Sequence, residues 1–206
     1  MTTADQTIYL ASKSPRRREL LQQIGVAFEV LTLPQEAGQP GIVTEIPHPG
    51  EDPEIYVKRI AREKAEAGWN TVVEHKLPRR PLLAADTTVT IDRQILGKPA
   101  DETEAMDMLR ALSGRTHQVL TAIAVITDGK MTEAFSCSDV RFATLSEASM
   151  RAYCHTKEPY DKAGGYGVQG YAAQFIEHIS GSYSGIMGLP LFETAQLLQI
   201  ARIKTL

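Results

Sequence analysis

Ser12-Lys13-Ser14-Pro15-Arg16-Arg17-Arg18 follows directly on a short apolar stretch near the start of the chain. Ser14 suits a helix N-cap and Pro15 the first helical position, so a helix should begin here. The unpaired N–H groups and partial positive charge of a helix N-terminus favour an anion. Three arginines in that first turn are disfavoured by the same dipole unless a polyanion sits among them. The plainer alternative is a solvated basic face. Asp86 is the second candidate, a lone acid inside Leu82-Leu-Ala-Ala-Asp-Thr-Thr-Val-Thr-Ile91. A carboxylate in such surroundings must be exposed at the strand end, paired or metal-bound; at a strand end it can act as a base or a metal ligand, or simply cap a turn after Ala85. Lys98, in Leu96-Gly97-Lys98-Pro99, and Lys64, in register with the apolar helix positions Val57, Ile60 and Ala61, suit an anion cleft. Lys64 either snorkels outward or reaches into a cavity.

Other signals carry less chemistry. Gly165, Gly167 and Gly170 spell G-x-G-x-x-G, but no strand precedes them and no acid lies about 20 residues on, so a dinucleotide fold is rejected. A glycine-rich loop that approaches a ligand closely, with Gln169 reading one of its edges, is the better reading. No P-loop occurs, and Gly181-Ser-Tyr-Ser-Gly185 is not a nucleophile elbow. It reads as a tight loop. The five histidines lack zinc spacing, and Cys137 and Cys154 lack redox or metal spacing, so reduced thiols in a cytoplasmic protein are expected. With 206 residues, net charge −3 and a pI near 6.0, the chain is unlike a general nucleic-acid binder. No apolar run reaches membrane-spanning length.

The elements that position these residues follow from periodicity. Strands are expected at Ile8 to Ala11, Phe28 to Leu33 and Leu82 to Ile91, and near Phe175 to Ile179. Val119 to Ile126 and Met131 to Phe142 form a hairpin around Thr127-Asp-Gly-Lys130. Helices are expected from Pro15 to Gly25, from Pro53 to about Gly68, and after Asp101, where Glu104 completes a capping box. Two more begin at Ser146 and near Leu189. Residues 34–53 are rich in Pro and Gly and read as a long loop, functional or inserted. The expected fold is α/β: a mixed sheet with flanking helices, in one domain of two lobes around a cleft.

Six segments together resemble the Maf family of nucleoside triphosphate pyrophosphatases over Leu10 to about Leu198. They are S-x-S-P-R-R at Ser12 to Arg17, A-D-T-x-V at Ala85 to Val89, G-K-P at Gly97 to Pro99, S-G-x-x-H at Ser113 to His117, D-K-A-G-x-Y-G-x-Q-G at Asp161 to Gly170, and the Gly181 to Leu191 stretch. The resemblance implies hydrolysis between the α and β phosphates of a nucleotide, in a fold related to the inosine triphosphate pyrophosphatases. It implies Asp86 as proton acceptor, with Arg16, Thr87 and Gln169 at positions associated with base choice. Ser14, Arg17, Lys64, Lys98 and Lys162 fall at polar positions around the phosphates, and Lys64 and Lys98 are counted with Asp86 as catalytic.

Gln169 in its loop resembles the branch that acts on dTTP and UTP, rather than 7-methyl-GTP. A divalent cation, Mg²⁺ or Mn²⁺, is implied; its ligands are not, and Glu36 is only the nearest equivalent of an acidic pair usual in the family. A homodimer is possible. A purine nucleotide pyrophosphatase and a non-enzymatic, nucleotide-binding regulator of cell division are the rival readings.

Overall fold

The computed structural model describes residues 6–33 and 43–206. Among them runs a seven-stranded mixed sheet. Its strands are β1 (Ile8–Leu10), β2 (Phe28–Val30), β3 (Leu82–Ile91), β4 (Gln94–Leu96), β5 (Thr116–Thr127), β6 (Lys130–Phe142) and β7 (Ile176–Ser180), in the order β2-β1-β3-β5-β6-β7 with β4 paired to β3. The β1 strand lies parallel to β2 and β3, while every other pairing is antiparallel. The expected mixed α/β architecture is present, and β3 has the predicted bounds. The short β4 had no sequence signal, because three residues after a tight turn carry no readable period.

Among the described residues six α-helices flank the sheet: α1 (Pro15–Gln23), α2 (Pro53–Glu74), α3 (Glu102–Leu112), α4 (Glu147–His155), α5 (Tyr183–Met187) and α6 (Leu191–Ile200). Side-chain caps start most of them: Ser14, Asp52, Asp101, Ser146 and Ser182 each accept a backbone N–H within the first turn. Ser182 thereby converts the expected tight loop into α5.

Helix α2 runs well past Gly68, where it was expected to stop. Gly68 is not a cap but a close approach: a Cβ there would lie 2.7 Å from Leu82 Cδ1, so glycine lets α2 settle onto β3.

Alternation along β3 and β5 divides the core between two faces. Leu82, Ala84 and Ala124 pack against Ala65 and Val72 of α2 on one face. On the other, Leu83, Ala85 and Ile123 pack under α1 and α6, while Val89 and Val119 join a second cluster with α3 and α4. Between these two clusters stand Thr87 and Thr121, with α5 beside them.

Candidate active site

A cavity of about 970 Å³ opens where the sheet is interrupted. Strand β1 pairs with β3 only at Leu82 and Leu83, and β4 joins the same edge from Val89 onward. Among the described residues no strand covers residues 84–88 on that side. The carbonyls of Pro81 and Leu83 accept N–H groups from Tyr9 and Ala11, so by period two the main-chain groups of Ala85 and Thr87 face the gap. The gap explains how two neighbours with opposite side-chain directions, Asp86 and Thr87, both line one cavity.

On the α2 face, Asp86 is 6% exposed and pairs with Lys64, whose Nζ lies 2.7 Å from Oδ1. Lys64 thus reaches into the cavity rather than snorkelling. The same ammonium lies 2.6 Å from Glu45 Oε1, and Lys98 Nζ is 3.5 Å from Glu45 Oε2.

Sequence reading missed Glu45, because its place depends on contacts that only the fold makes. Arg59 of α2 grips both oxygens of Glu51 at 2.7 Å and donates to the Ile46 carbonyl, while Tyr56 donates to the Glu45 carbonyl. These bonds tie residues 45–51 to the first turns of α2 and set Glu45 over Lys64. Glu36, considered earlier for this role, lies outside the described residues.

The two carboxylates are tuned apart. Burial drives Asp86 above the ordinary carboxylate range, more strongly than Lys64 and Arg17 pull it down. For Glu45 burial pushes up, but Lys64 and Lys98 outweigh it and the net shift is downward. One acid that holds a proton readily beside one that stays ionised is the arrangement of a base with an electrostatic partner.

At the mouth of α1, Ser14 Oγ caps its own helix by accepting the Arg17 N–H, and Ser12 Oγ accepts from Ser14 N at 3.2 Å. Arg16 lines the cavity, while Arg18 is exposed and outside its lining. Arg17 also lines it, but its guanidinium is engaged by the protein: Nε donates to the Gly188 carbonyl at 2.7 Å, Nη1 to Ser12 Oγ and Nη2 to Thr87 Oγ1, both at 3.2 Å. Arg17 therefore braces this end of the cavity from behind, joining α1, β3 and the α5–α6 turn.

The glycine-rich loop brings Lys162 and Gln169 to the opposite wall. Lys162 Nζ is held by the Glu158 carbonyl at 2.8 Å. Gly170 serves the protein more than a ligand, since a Cβ there would fall 2.1 Å from Glu158 Oε2. That carboxylate pins the loop, accepting from Tyr153 Oη and from the backbone N–H groups of Tyr171 and Ala172. Below it, buried His117 pairs with Tyr166 Oη at 2.7 Å, and burial pushes the imidazole down to about 4.

All nine residues expected at the site, Ser14, Arg16, Arg17, Lys64, Asp86, Thr87, Lys98, Lys162 and Gln169, line this one cavity. Among the described residues no three His, Cys, Asp or Glu side chains cluster as a ready metal cage. Hard carboxylate oxygens on Asp86 and Glu45 nonetheless suit Mg²⁺ or Mn²⁺ when substrate oxygens and water complete the shell. No described helix is long and apolar enough to cross a membrane.

The chain is 57% identical to the dTTP/UTP pyrophosphatase of Aromatoleum aromaticum, over 93% of this chain and 94% of that one. It is 52% identical to the protein of the same name in Chromobacterium violaceum, over 96% of each. With that of Nitrosomonas europaea it shares 50% identity over 97% of this chain and 96% of the other. Among solved structures, the Ham1 protein of Staphylococcus aureus aligns with a TM-score of 0.41 at 12% identity, over 82% of this chain and 90% of that one, too loosely to inform the site. A family model described as Maf-like protein matches residues 7–201, and the chain belongs to the Maf family.

Proposed function

We propose that this protein hydrolyses dTTP and UTP to the nucleoside monophosphate and pyrophosphate. The observation that carries the chemistry is the Glu45–Lys64–Asp86 cluster facing the N-terminus of α1 across one cavity. The pyrimidine substrates are supported by relatives at 50–57% identity whose names specify them.

The triphosphate lies against the α1 N-terminus, where the positive end of the helix dipole and the Arg16 side chain meet its charge. Lys98 and Lys162 flank it. Asp86 takes a proton from a water molecule as that water attacks the α-phosphorus. The new P–O bond forms while the bond to the bridging oxygen breaks, and pyrophosphate leaves with the electron pair. Lys64 keeps Asp86 oriented and offsets its charge, and its elevated proton affinity makes the carboxylate a competent base near neutral pH. A divalent cation would be held by Glu45 and Asp86 with phosphate oxygens, and would supply neutralisation of charge on the phosphates. The free thiols Cys137 and Cys154 favour a cytoplasmic setting.

The test is pyrophosphate release from a panel of dTTP, UTP, CTP, ITP, GTP and 7-methyl-GTP. Turnover should be greatest for dTTP and UTP, to vanish on chelation and to return with Mg²⁺ or Mn²⁺. Asp86→Asn should lower kcat by about 10²–10⁴-fold while nucleotide binding persists. Better turnover of the purines would overturn the substrate assignment, and near-normal turnover by folded Asp86→Asn would overturn the base.

A further inference from the structure

Gln169 stands in a four-residue turn whose ends both return to one acid. The Gly170 N–H donates to the Gly167 carbonyl at 3.1 Å and closes the turn. Val168, at the first corner, is buried in the core cluster shared with α3 and α4. Gln169 is left at the second corner, on the cavity wall. Just beyond the turn, the Tyr171 N–H donates to Glu158 Oε2 at 2.8 Å, and the Tyr153 hydroxyl donates to Oε1 at 2.9 Å. The Gly167 backbone comes close to that same hydroxyl, which ties the start of the turn to Glu158 as well. The main-chain carbonyl of Glu158 meanwhile holds the Lys162 ammonium at 2.8 Å. Two glycines fit this bracket. A Cβ on Gly170 would lie 2.1 Å from Glu158 Oε2, and one on Gly167 would lie 2.9 Å from Lys162 Cε. Their missing side chains make room for the acid and for the lysine stem.

We propose that Glu158 is a positioning residue that sets Lys162 and Gln169 on the cavity wall as one unit. The inference rests on the proposed nucleotide hydrolysis, whichever part of the nucleotide each side chain meets. Glu158 also lines the cavity, and a negative group in the wall of a polyanion site repels the ligand. Holding the loop explains its presence there. Tyr153 Oη and the N–H groups of Tyr171 and Ala172 are three donors that converge on it, and a carboxylate offers acceptors only. An amide of the same shape would turn an N–H₂ toward one of those donors. Glu158 therefore acts through Lys162 and Gln169 and not on the nucleotide.

The measurement is kcat/KM for UTP with Glu158→Gln, made both in the wild type and in a Lys162→Ala, Gln169→Ala background. Glu158→Gln should lower kcat/KM by about tenfold in the wild type, and by less than about twofold where both positioned side chains are already gone. Any fall in Tm should be alike in the two backgrounds. An equal kinetic loss in both marks a structural residue or a direct contact with the nucleotide, and would overturn the proposal, as would no loss in the wild type. Gly170→Ala, which drives a methyl group into the carboxylate, should repeat the pattern. Should neither variant fold, amide exchange in the wild type decides: the Tyr171 and Ala172 N–H groups should exchange about 10²-fold slower than in an unfolded chain, and free exchange would overturn the bracket. Absence of any release from UTP by the wild type would instead overturn the hydrolytic reading, and the same exchange measurement would still test the bracket.

Discussion

Asp86 and Glu45 share one ammonium partner yet differ in burial, and the difference separates their protonation. Asp86 carries its pKa above the ordinary carboxylate value chiefly through loss of solvent, and as a base it must be unprotonated. Activity is therefore expected to rise with pH as Asp86, the proposed base, loses its proton, with a slope of about one on the acid limb of log kcat/KM, and the cation held by the same carboxylate draws that limb downward. Residual turnover in Asp86→Asn should lack that limb. A limb that survived in Asp86→Asn would assign the base elsewhere. Asp86 was legible in the sequence because an acid in an apolar strand is costly and conspicuous. Glu158 was not: a glutamate between a lysine and a proline reads as an ordinary surface residue, and only the fold shows the three donors that meet it. Arg17 illustrates a third case. Its type and position suggested an anion contact, and only the fold reveals the three partners that occupy it.

Among the elements, α2 organises most of the wall that carries the Glu45–Lys64–Asp86 cluster. Tyr56 and Arg59 hold the preceding segment, Lys64 joins its carboxylates, and Gly68 brings the helix onto β3. Its start was legible from Asp52-Pro53, whereas its length was not, since a glycine that ends many helices here serves packing. The segment carrying Glu45 was legible only as a loop, because its shape is imposed by α2 and not by its own sequence.

Glu51 is the key to that segment. The hydrogen bonds from Arg59 hold its carboxyl down to about 2, against the effect of burial. With its folded pKa depressed, Glu51 stabilises the protein above the ordinary carboxylate pKa, and the contribution is lost as pH falls toward 2. Glu51→Gln should cost about 1 kcal/mol in urea unfolding at pH 7, a gap that closes in acid. It should also lower kcat/KM by loosening Glu45. An unchanged gap across that range would show that the Arg59 contact contributes nothing to stability.

Over the whole molecule, the cavity draws its walls from both main clusters of the core: Val89, Val119 and Tyr166 belong to one, while residues beside α1 and α5 connect to the other. A nucleotide bound there touches parts of both clusters, which Met187 of α5 also joins. A non-hydrolysable UTP analogue at about 100 times its Kd should add about 2.7 kcal/mol to folding, raising Tm by about 5–10 °C. Calorimetry with and without the analogue checks this, and no shift at saturation would place the nucleotide elsewhere.

The gap beside residues 84–88 has one more consequence. A strand with unpaired amides and carbonyls is ordinarily a template for another chain, and on an outer strand it invites aggregation. Here the bare stretch lies inside the sheet, bounded by β1 at one end and β4 at the other. Five residues between two paired ends leave too little edge for a foreign strand to register, but enough for a small molecule. The protein thus keeps the main-chain groups of Ala85 and Thr87 turned toward a buried opening at its centre, without the self-association that the same groups would bring at its rim.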